Sequence, residues 1–542
     1  MKRLIGIGVG PGDPELVTVK AVRVLREADV VLVPVLAVPI PGSAPEHQEP
    51  GRAETIIRSH LADGRIKRLE FALNDAGGVT SRRAAAWQAA AAAVAQEFAA
   101  GAATVAFGTL GDPNLYSTFS YLAQAVRDLV PEVTVETVAG ITAMQDLASR
   151  AGLSLAEGTE PVTLVPLNGG VGALDQALAG GGTVVGYKVG AAASPDPGVL
   201  RDRLQAAGRL DRAVIGARLG LDGELIVPAA DIPDIPYLST LIVPARRPAG
   251  IGAALHPRAP AQPQNRRGRV VFVGAGPGAP DLLTHRGARA IAQADILIWA
   301  SSLVDHRILS HAREDAEIVD SARLPMEGVL PYYEKAARQK LNVARVHSGD
   351  PALWGAIAEQ LEQCAELGLD TQIIPGVSSF TAVAAAIQRE LTIPEVAQSV
   401  ILTRLGGGKT PMPPGERVAE FARHGTTMAL FLSAARSGQL QDELLTNYPP
   451  DTPCVVAYQV TWPDELIIHT ALQDLAVTIK RHKLWKHTLV LVGPALAASK
   501  TRSRLYHPGH FHGYRRADPQ ARKQLREAEK GTEKGAGKQG GP

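Results

Sequence analysis

Cysteine is almost absent from this chain of 542 residues, which contains Cys364 and Cys454 and no other. Two isolated cysteines exclude a disulfide framework and a cysteine-based metal site, and they fit a reducing compartment. Runs of about 18 or more apolar residues are also absent, which argues against a transmembrane helix. The N-terminal apolar run ends at Val9, too early for a signal peptide. We therefore expect a cytoplasmic protein without a membrane partner.

A strong excess of charge of either sign is missing as well. Lys and Arg number 56 and Asp and Glu number 54, a formal net charge of +2. This balance gives no support to a nucleic-acid partner. Hydrophobic residues make up 45% of the chain and charged residues 20%, the usual mixture for globular proteins. The length suits two large domains or several smaller ones.

The chain repeats a series of glycine-rich motifs. In chain order these are Gly-x-Gly-Pro-Gly at 8–12 and 274–278, Gly-Asp-Pro at 111–113 and 349–351, and a Gly-Ile-Thr or Gly-Val-Ser segment at 139–143 and 375–379. An isolated Gly-Asp-Pro is an ordinary turn. Its repetition in step with two other motifs is hard to obtain by chance, so the sequence predicts two copies of one domain.

Composition shifts suggest the boundaries of these copies. We predict a first domain at 1–245, a Pro/Ala/Arg-rich linker at 246–268 and a second domain at 269–515. Residues 516–542 form a basic, low-complexity tail that we expect to be disordered. The tail suits either an anionic partner or simple solvation, and we favour solvation. Residues 38–51 resemble an inserted loop in the first copy.

Apolar, β-rich runs alternate with helical patterns in each copy. In the first copy we predict strands at 4–9, 30–33, 103–107, 133–138, 162–166, 183–187 and 237–243, and an alanine-rich helix at 82–98. This alternation predicts an α/β fold with a largely parallel sheet in at least the first part of each copy. Ligands of such sheets bind beyond the carboxyl ends of the strands, where the glycine-rich turns would lie.

The first turn raises the alternative of a dinucleotide site with a G-x-G-x-x-G fingerprint. The first copy fails this test, because Asp13 stands where the third glycine is needed. The second copy offers Gly274, Gly276 and Ala279, a weak match. Pro277 lies inside the turn and lacks an N–H group, which weakens a phosphate cradle of backbone donors. The motif therefore favours a ligand other than a nicotinamide cofactor.

The motif order resembles the tetrapyrrole methylases, the class III methyltransferases of corrin and sirohaem synthesis. In the first copy, GVGPGDPELVTVKAVRVLREADVVLVP and GTLGDPNLYSTFSYL are similar to precorrin-2 C-20-methyltransferases. In the second copy, HSGDPALWGA and PGVSSFTAVAAAIQRELTIPEVAQSVILTR resemble precorrin-4 C-11-methyltransferases. The resemblance spans about 1–245 and 269–515.

This resemblance implies two α/β lobes in each copy with S-adenosylmethionine in the cleft between them, and a homo-oligomer or a pairing of the copies within the chain. It implies a bifunctional enzyme that converts precorrin-2 to precorrin-3A and precorrin-4 to precorrin-5. Three alternatives stay open: one copy that only binds pigment or dimerises, cobalt-loaded substrates, and a ribosomal RNA ribose methyltransferase. The slightly acidic composition before the tail argues against the last.

The family's cofactor contacts can be carried over position by position. They fall on Pro11, Leu110, Gly111, Asp112, Leu115, Thr142 and Ala143 in the first copy and on Pro277, Ser348, Gly349, Asp350, Leu353, Ser378 and Ser379 in the second. The second copy departs from the family at Ala279 and Trp354, where Asp and Tyr are usual. Tyr116 and Trp354 are predicted substrate-binding residues. Arg404 and Arg436 suit the substrate's carboxylates, although ordinary surface charge explains them equally well.

Methyl transfer from a sulfonium to an electron-rich ring carbon is an in-line displacement that needs neither an acid nor a strong base. Positioning can therefore carry the catalysis, and the sequence identifies no catalytic residue and no acceptor for the proton lost after C-20 methylation. His507, His510 and His512 are close enough in sequence to meet a metal. Their segment matches the family's ordinary C-terminus, so we predict no metal site.

Overall fold

The computed structural model describes residues 1–497 except 37–49, 62–63, 72–80, 191–193, 233–234, 237, 248–266, 395, 408–411 and 414. We call residues 1–247 the first half and 267–497 the second half. Most of the predicted insertion and linker, the whole predicted tail, and the three histidines near the C-terminus lie outside the described residues. None of the described helices combines the length and apolar character needed to cross a membrane.

The first half begins with a five-stranded sheet between helices. Its elements are β1 (Arg3–Gly8), α1 (Val19–Glu27), β2 (Val30–Leu36), α2 (Arg52–Arg58), β3 (Ile66–Phe71), α3 (Ser81–Ala99), β4 (Thr104–Thr109), α4 (Phe119–Leu129), β5 (Thr134–Val138) and α5 (Ala143–Ala151). The strand order is β3-β2-β4-β1-β5 and all pairs are parallel. Successive residues of a strand face opposite sides, so Leu4 packs against α3 and α4 while Ile5 packs against α1 and α2.

A second part of the first half follows α5. Its elements are β6 (Val162–Pro166), α6 (Gly172–Ala179), β7 (Thr183–Tyr187), α7 (Pro197–Ala206), β8 (Val214–Ala217), β9 (Leu225–Pro228) and β10 (Ser239–Val243). Arg247, which the sequence places in the linker, forms an ion pair with Glu160 at 2.6 Å. The described start of the predicted linker therefore packs on the first half.

The second half repeats this plan. Its first part contains β11 (Arg269–Gly274), α8 (His285–Ala292), β12 (Ile296–Trp299), β13 (Glu317–Asp320), α9 (Met326–Gln339), β14 (Asn342–His347), α10 (Ile357–Glu366), β15 (Asp370–Ile374) and α11 (Ser379–Ala386). Its second part contains β16 (Val400–Arg404), α12 (Val418–Ala422), β17 (Thr427–Phe431), α13 (Ser437–Leu445), β18 (Pro453–Tyr458), β19 (Leu466–Ala471), α14 (Leu475–His482) and β20 (Thr488–Val492). The first sheet has the order β13-β12-β14-β11-β15 and is again parallel.

The two halves share one ten-stranded sheet. Its order is β19-β18-β20-β17-β16-β6-β7-β10-β8-β9, with β6 and β16 antiparallel at the centre. Leu164 pairs with Val400 and Val162 with Leu402, and all four side chains are fully buried in one hydrophobic cluster. The halves therefore have a common core, and the copies pair within one chain, one of the two arrangements expected from the sequence.

Matched contacts elsewhere relate the halves by an approximate two-fold axis. The amide of Val19 donates to the carbonyl of Leu283 at 2.9 Å, and the amide of His285 donates to the carbonyl of Val17 at 3.0 Å. These bonds join the starts of α1 and α8. Arg286 adds an ion pair to Asp13, whose carboxylate also binds Arg150.

Candidate functional site

The three motifs of the first half meet at the carboxyl ends of β1, β4 and β5. The amide of Gly111 donates to the carbonyl of Gly10 at 2.8 Å, which joins the first motif to the second. The Oδ2 atom of Asp112 accepts from the amide of Gly140 at 2.9 Å, which joins the second motif to the third. Its Oδ1 atom accepts from the amide of Asn114 at 2.8 Å and closes the turn. The sequence prediction that these turns lie beyond the strand ends is confirmed.

The second half builds the same arrangement from its own residues. The amide of Gly349 donates to the carbonyl of Gly276 at 2.7 Å. Asp350 accepts from the amide of Gly376 at 3.1 Å and from the amide of Ala352 at 2.9 Å. Each half therefore has a complete candidate site.

Each site contains one glycine position that leaves no room for a side chain and another that faces open space. A Cβ atom on Gly140 would lie 2.2 Å from the carbonyl oxygen of Gly111, and one on Gly376 would lie 2.2 Å from that of Gly349. By contrast, a Cβ on Gly111, whose φ is +69°, would meet nothing within 4 Å. The backbone is thus close-packed behind the site and open to a ligand in front.

The two aspartates join the second motif to the third in the interior of each site. Asp112 and Asp350 are each 2% exposed, and burial raises the pKa of both to about 7 against the effect of their backbone hydrogen bonds. The predicted contact residues that reach the surface are others: Ser348 is exposed, and Pro11, Leu110, Gly111, Ala143, Gly349 and Ser379 are half-buried. Direct contact of either carboxylate with a cofactor stays a prediction.

An aromatic pair stands beside each Gly-Asp-Pro turn. The rings of Tyr116 and Tyr187 are 5.0 Å apart in the first half, and those of Trp354 and Phe431 are 4.6 Å apart in the second. Tyr116 and Trp354 both have positive φ angles, +52° and +55°. In the first half Lys188 also lies over the ring of Tyr116, with Nζ 5.3 Å from its centroid.

Each turn is held by the opposite half. In the first-half turn, the amide of Tyr116 donates to the hydroxyl of Thr392 at 2.8 Å, and that hydroxyl donates to Glu390 at 3.2 Å. In the second-half turn, the amide of Trp354 donates to the carbonyl of Ala156 at 2.8 Å. The hydroxyl of Tyr116 also donates to the carbonyl of Gln398 at 2.7 Å. Both candidate sites therefore lie at the interface between the halves.

The two predicted substrate arginines differ in their surroundings. Arg436 donates to the carbonyls of Leu405 and Gly406, so its guanidinium supports the loop that follows β16. Arg404 ends β16 in register with Phe431, next to the second-half aromatic pair. Burial and the neighbouring Arg436 lower the pKa of Arg404. Substrate binding by either residue stays a prediction.

Several residues of the sites were not predicted from the sequence: Gln145, Tyr187, Glu390, Thr392 and Phe431. Gln145 carries a signal, because it follows Thr142 by three residues in the pattern of a helix capping box. The others are brought to the sites by pairing of distant segments, which local patterns do not reveal.

A family model described as Tetrapyrrole (Corrin/Porphyrin) Methylases matches residues 3–233 and 269–476. The chain belongs to the tetrapyrrole methylase family. Matching of one family model to both halves confirms the resemblance and the two copies inferred from the repeated motifs. The α/β fold of tandem tetrapyrrole methylase domains is confirmed as well.

Two relatives of this tetrapyrrole methylase match about half of it. The cobalt-precorrin-4 C(11)-methyltransferase of Methanocaldococcus jannaschii is 41% identical over 251 residues, 46% of this chain and 96% of that protein. The precorrin-4 C(11)-methyltransferase of Pseudomonas aeruginosa is 41% identical over 247 residues, 45% of this chain and 98% of that protein. A third relative, cobalamin biosynthesis protein CobIJ of Mycobacterium bovis, is 27% identical over 475 residues, 85% of this chain and 86% of that protein.

Proposed function

We propose that this tetrapyrrole methylase carries two S-adenosylmethionine-dependent activities of cobalamin synthesis. The first half methylates precorrin-2 at C-20 to give precorrin-3A, and the second half methylates precorrin-4 at C-11 to give precorrin-5. The observation that carries this proposal is the complete set of joined motifs in both halves, with Asp112 and Asp350 in the same buried geometry. A copy that only bound pigment or dimerised would not need this set.

The comparisons support the two assignments differently. The relatives acting on precorrin-4 match about half of this chain and nearly all of their own length, and the C-11 assignment to the second half rests on the motifs quoted for that half. The Mycobacterium bovis relative supports two such domains in one chain. Since relatives named for precorrin-4 with and without cobalt are equally identical, the test includes both forms of the substrate.

The residues present suit S-adenosylmethionine. Open space faces the backbone at Gly111, and we infer that Pro11, Leu110 and Ala143 hold the cofactor in the first half, with Ser348 and Ser379 in the second. When bound, S-adenosylmethionine supplies an electrophilic methyl group. The chain's own part is to hold the two reactants in line, which contributes about 7–11 kcal/mol in well-oriented cases.

The aromatic pairs and nearby cations suit a flat, carboxylate-rich substrate. We infer that the half-buried Tyr116 and Trp354 contact the macrocycle. Lys188 beside Tyr116, and Arg404 beside Phe431, are placed to attract its carboxylates. No described residue is assigned as the acceptor of the proton lost after C-20 methylation.

The test is anaerobic incubation with S-adenosylmethionine and either precorrin-2 or precorrin-4, each with and without cobalt, read by mass spectrometry and NMR. We expect one added methyl group, at C-20 and at C-11 respectively. The variants Gly111→Val and Gly349→Val place a side chain at a positive φ in one site each, so each should abolish one reaction and serve as the control for the other. Methylation of one substrate alone would leave one copy without catalysis, and no methylation of any form would refute the proposal.

A further inference from the structure

The side chain of Gln145 lies between the two candidate sites. It is fully buried, and its Oε1 atom accepts from the amide and the hydroxyl of Thr142, both at 3.0 Å. Its Nε2 atom donates to Oδ2 of Asp350 at 3.0 Å and to the carbonyl of Gly376 at 2.6 Å. Both acceptor positions and both donor hydrogens of the amide are therefore used.

We propose that Gln145 is a positioning residue of both methyltransferase sites, supplied by the first half to the site of the second half. This inference rests on the proposed function. On one side Gln145 holds Thr142, which caps the start of α5 and is a predicted cofactor contact of the first site. On the other side it holds Asp350 and Gly376, which join the second and third motifs of the second site.

The dependence of the motif aspartate on the opposite half is found at the second site and not at the first. Thr381 occupies the matching position in α11, and its hydroxyl donates to the carbonyl of Ser378 in its own half. Asp112 receives its hydrogen bonds from Gly140 and Asn114, also in its own half. Among the described residues, the second site therefore takes a side-chain donor from the first half, whereas the aspartate of the first site is held locally.

Loss of the amide donor has a direct consequence for the second site. The carboxylate of Asp350 is buried, so each donor to it matters more than a donor at the surface. Burial raises its pKa, and the donors Gly376, Ala352 and Gln145 lower it. Without Gln145 the buried carboxylate of Asp350 has one hydrogen-bond donor fewer. The link that Asp350 makes between the second and third motifs of the second half is then weaker.

Two substitutions distinguish the hydrogen bonds that Gln145 makes to the first site from those that it makes to the second site. Gln145→Glu retains oxygen acceptors for Thr142 but removes both donors and places a second carboxyl beside Asp350. Gln145→Leu removes all four hydrogen bonds. Thr381→Val is the matched control, since it removes a buried polar group at the equivalent position without crossing between the halves.

Binding of S-adenosylhomocysteine by calorimetry, together with methylation of precorrin-2 and precorrin-4, gives separate readouts for the sites. For Gln145→Glu at about pH 8 we expect second-site affinity to fall by about tenfold or more, the scale of one lost charge-assisted hydrogen bond, with first-site affinity retained. Binding at the first site shows in the same molecule that the chain is folded. Gln145→Leu should weaken both sites, and Thr381→Val should leave the first site unchanged.

The pH dependence distinguishes positioning from a general loss of structure. Two adjacent buried carboxyls share a proton as the pH falls, so Gln145→Glu should regain second-site affinity at about pH 6, whereas Gln145→Leu should not. Equal losses at both sites in Gln145→Glu, or no loss at either, would overturn the inference. If the unmodified chain binds no S-adenosylhomocysteine, the proposed function fails first and the inference fails with it.

Discussion

At the residue scale, a buried histidine lies directly before the Gly-Asp-Pro turn of the second site. His347 ends β14 directly before Ser348 and the Gly-Asp-Pro turn, and it is 9% exposed. Burial, together with the nearby guanidinium of Arg345, lowers its pKa to about 3. The corresponding residue of the first half is Thr109, which carries no titratable group. The two halves therefore differ in how acid affects their sites.

We predict that His347→Thr reduces the acid sensitivity of the protein. A pKa depressed from 6.5 to about 3 means that the native state binds fewer protons than the unfolded state between these values. Stability from this residue is thus present above about pH 6.5 and is lost as the pH falls, at up to about 1.4 kcal/mol per pH unit. The measurement is the free energy of unfolding against pH for both proteins.

The difference between the two curves isolates His347 from Asp112, Asp350 and Glu390, whose raised pKa values act in the opposite direction. We expect the variant's advantage to grow from about pH 6.5 downward. Parallel curves throughout this range would contradict a neutral, buried His347 as a source of acid sensitivity.

At the scale of elements, apolar runs identified most of the buried strands of the first half, but not β8, whose four residues are all buried. The prediction of strands at 162–166 and 183–187 matches β6 and β7, and the helix predicted at 82–98 is one residue shorter at each end than α3. The strand β3 was missed. It lies at the edge of its sheet, and its alternating sequence IKRLEF exposes Lys67 and Glu70. Charged edge strands protect sheets from further pairing and lack the continuous apolar run that predicts a central strand.

The close backbone packing at the turns after these strands predicts that a side chain at Gly376 is destabilising. In Gly376→Ala the new methyl group would lie 2.2 Å from the carbonyl oxygen of Gly349 and 2.6 Å from the backbone of Gly274. We expect a loss of about 1–3 kcal/mol of stability from overpacking, seen as a lower thermal midpoint, together with weaker cofactor binding at the second site.

Gly198→Ala is the matched control, because a Cβ on Gly198 of α7 meets nothing within 4 Å. Alanine has fewer backbone conformations than glycine in the unfolded chain, so folding costs less conformational entropy. The variant should therefore be as stable as the unmodified protein or slightly more stable. Equal thermal midpoints for Gly376→Ala and Gly198→Ala would show that the close backbone contact among the three motifs tolerates a side chain at position 376.

At the scale of the whole molecule, the repeat predicted the two copies but not how they join. The motif residues Asp112 and Asp350 could be identified from sequence because each recurs at a fixed place among glycines. The contacts of Glu390 and Thr392 with the Tyr116 turn could not, since they join segments far apart in the chain. The pairing of β6 with β16 is missed for the same reason: each reads as an ordinary buried strand of its own copy.

The shared ten-stranded sheet predicts that the two halves stay associated when the chain between them is cut. The central strands pair across the molecule and bury Val162, Leu164, Val400 and Leu402 in one cluster, so separation would expose apolar surface on both halves. We insert a protease recognition sequence into the predicted linker at 246–268, cleave the intact protein, and measure its mass by gel filtration with light scattering.

We expect the two fragments to remain one particle with the mass of the uncut protein, which is 57.0 kDa for a single chain, or the same multiple of it. The control is Val400→Glu in the cleavable protein, because an unpaired carboxylate opposite Leu164 would be buried at the centre of the shared sheet. This variant should release separate or unfolded fragments after cleavage. If the unaltered fragments separate as well, the shared sheet does not hold the halves together, and each site would then have to function without the residues that the opposite half contributes.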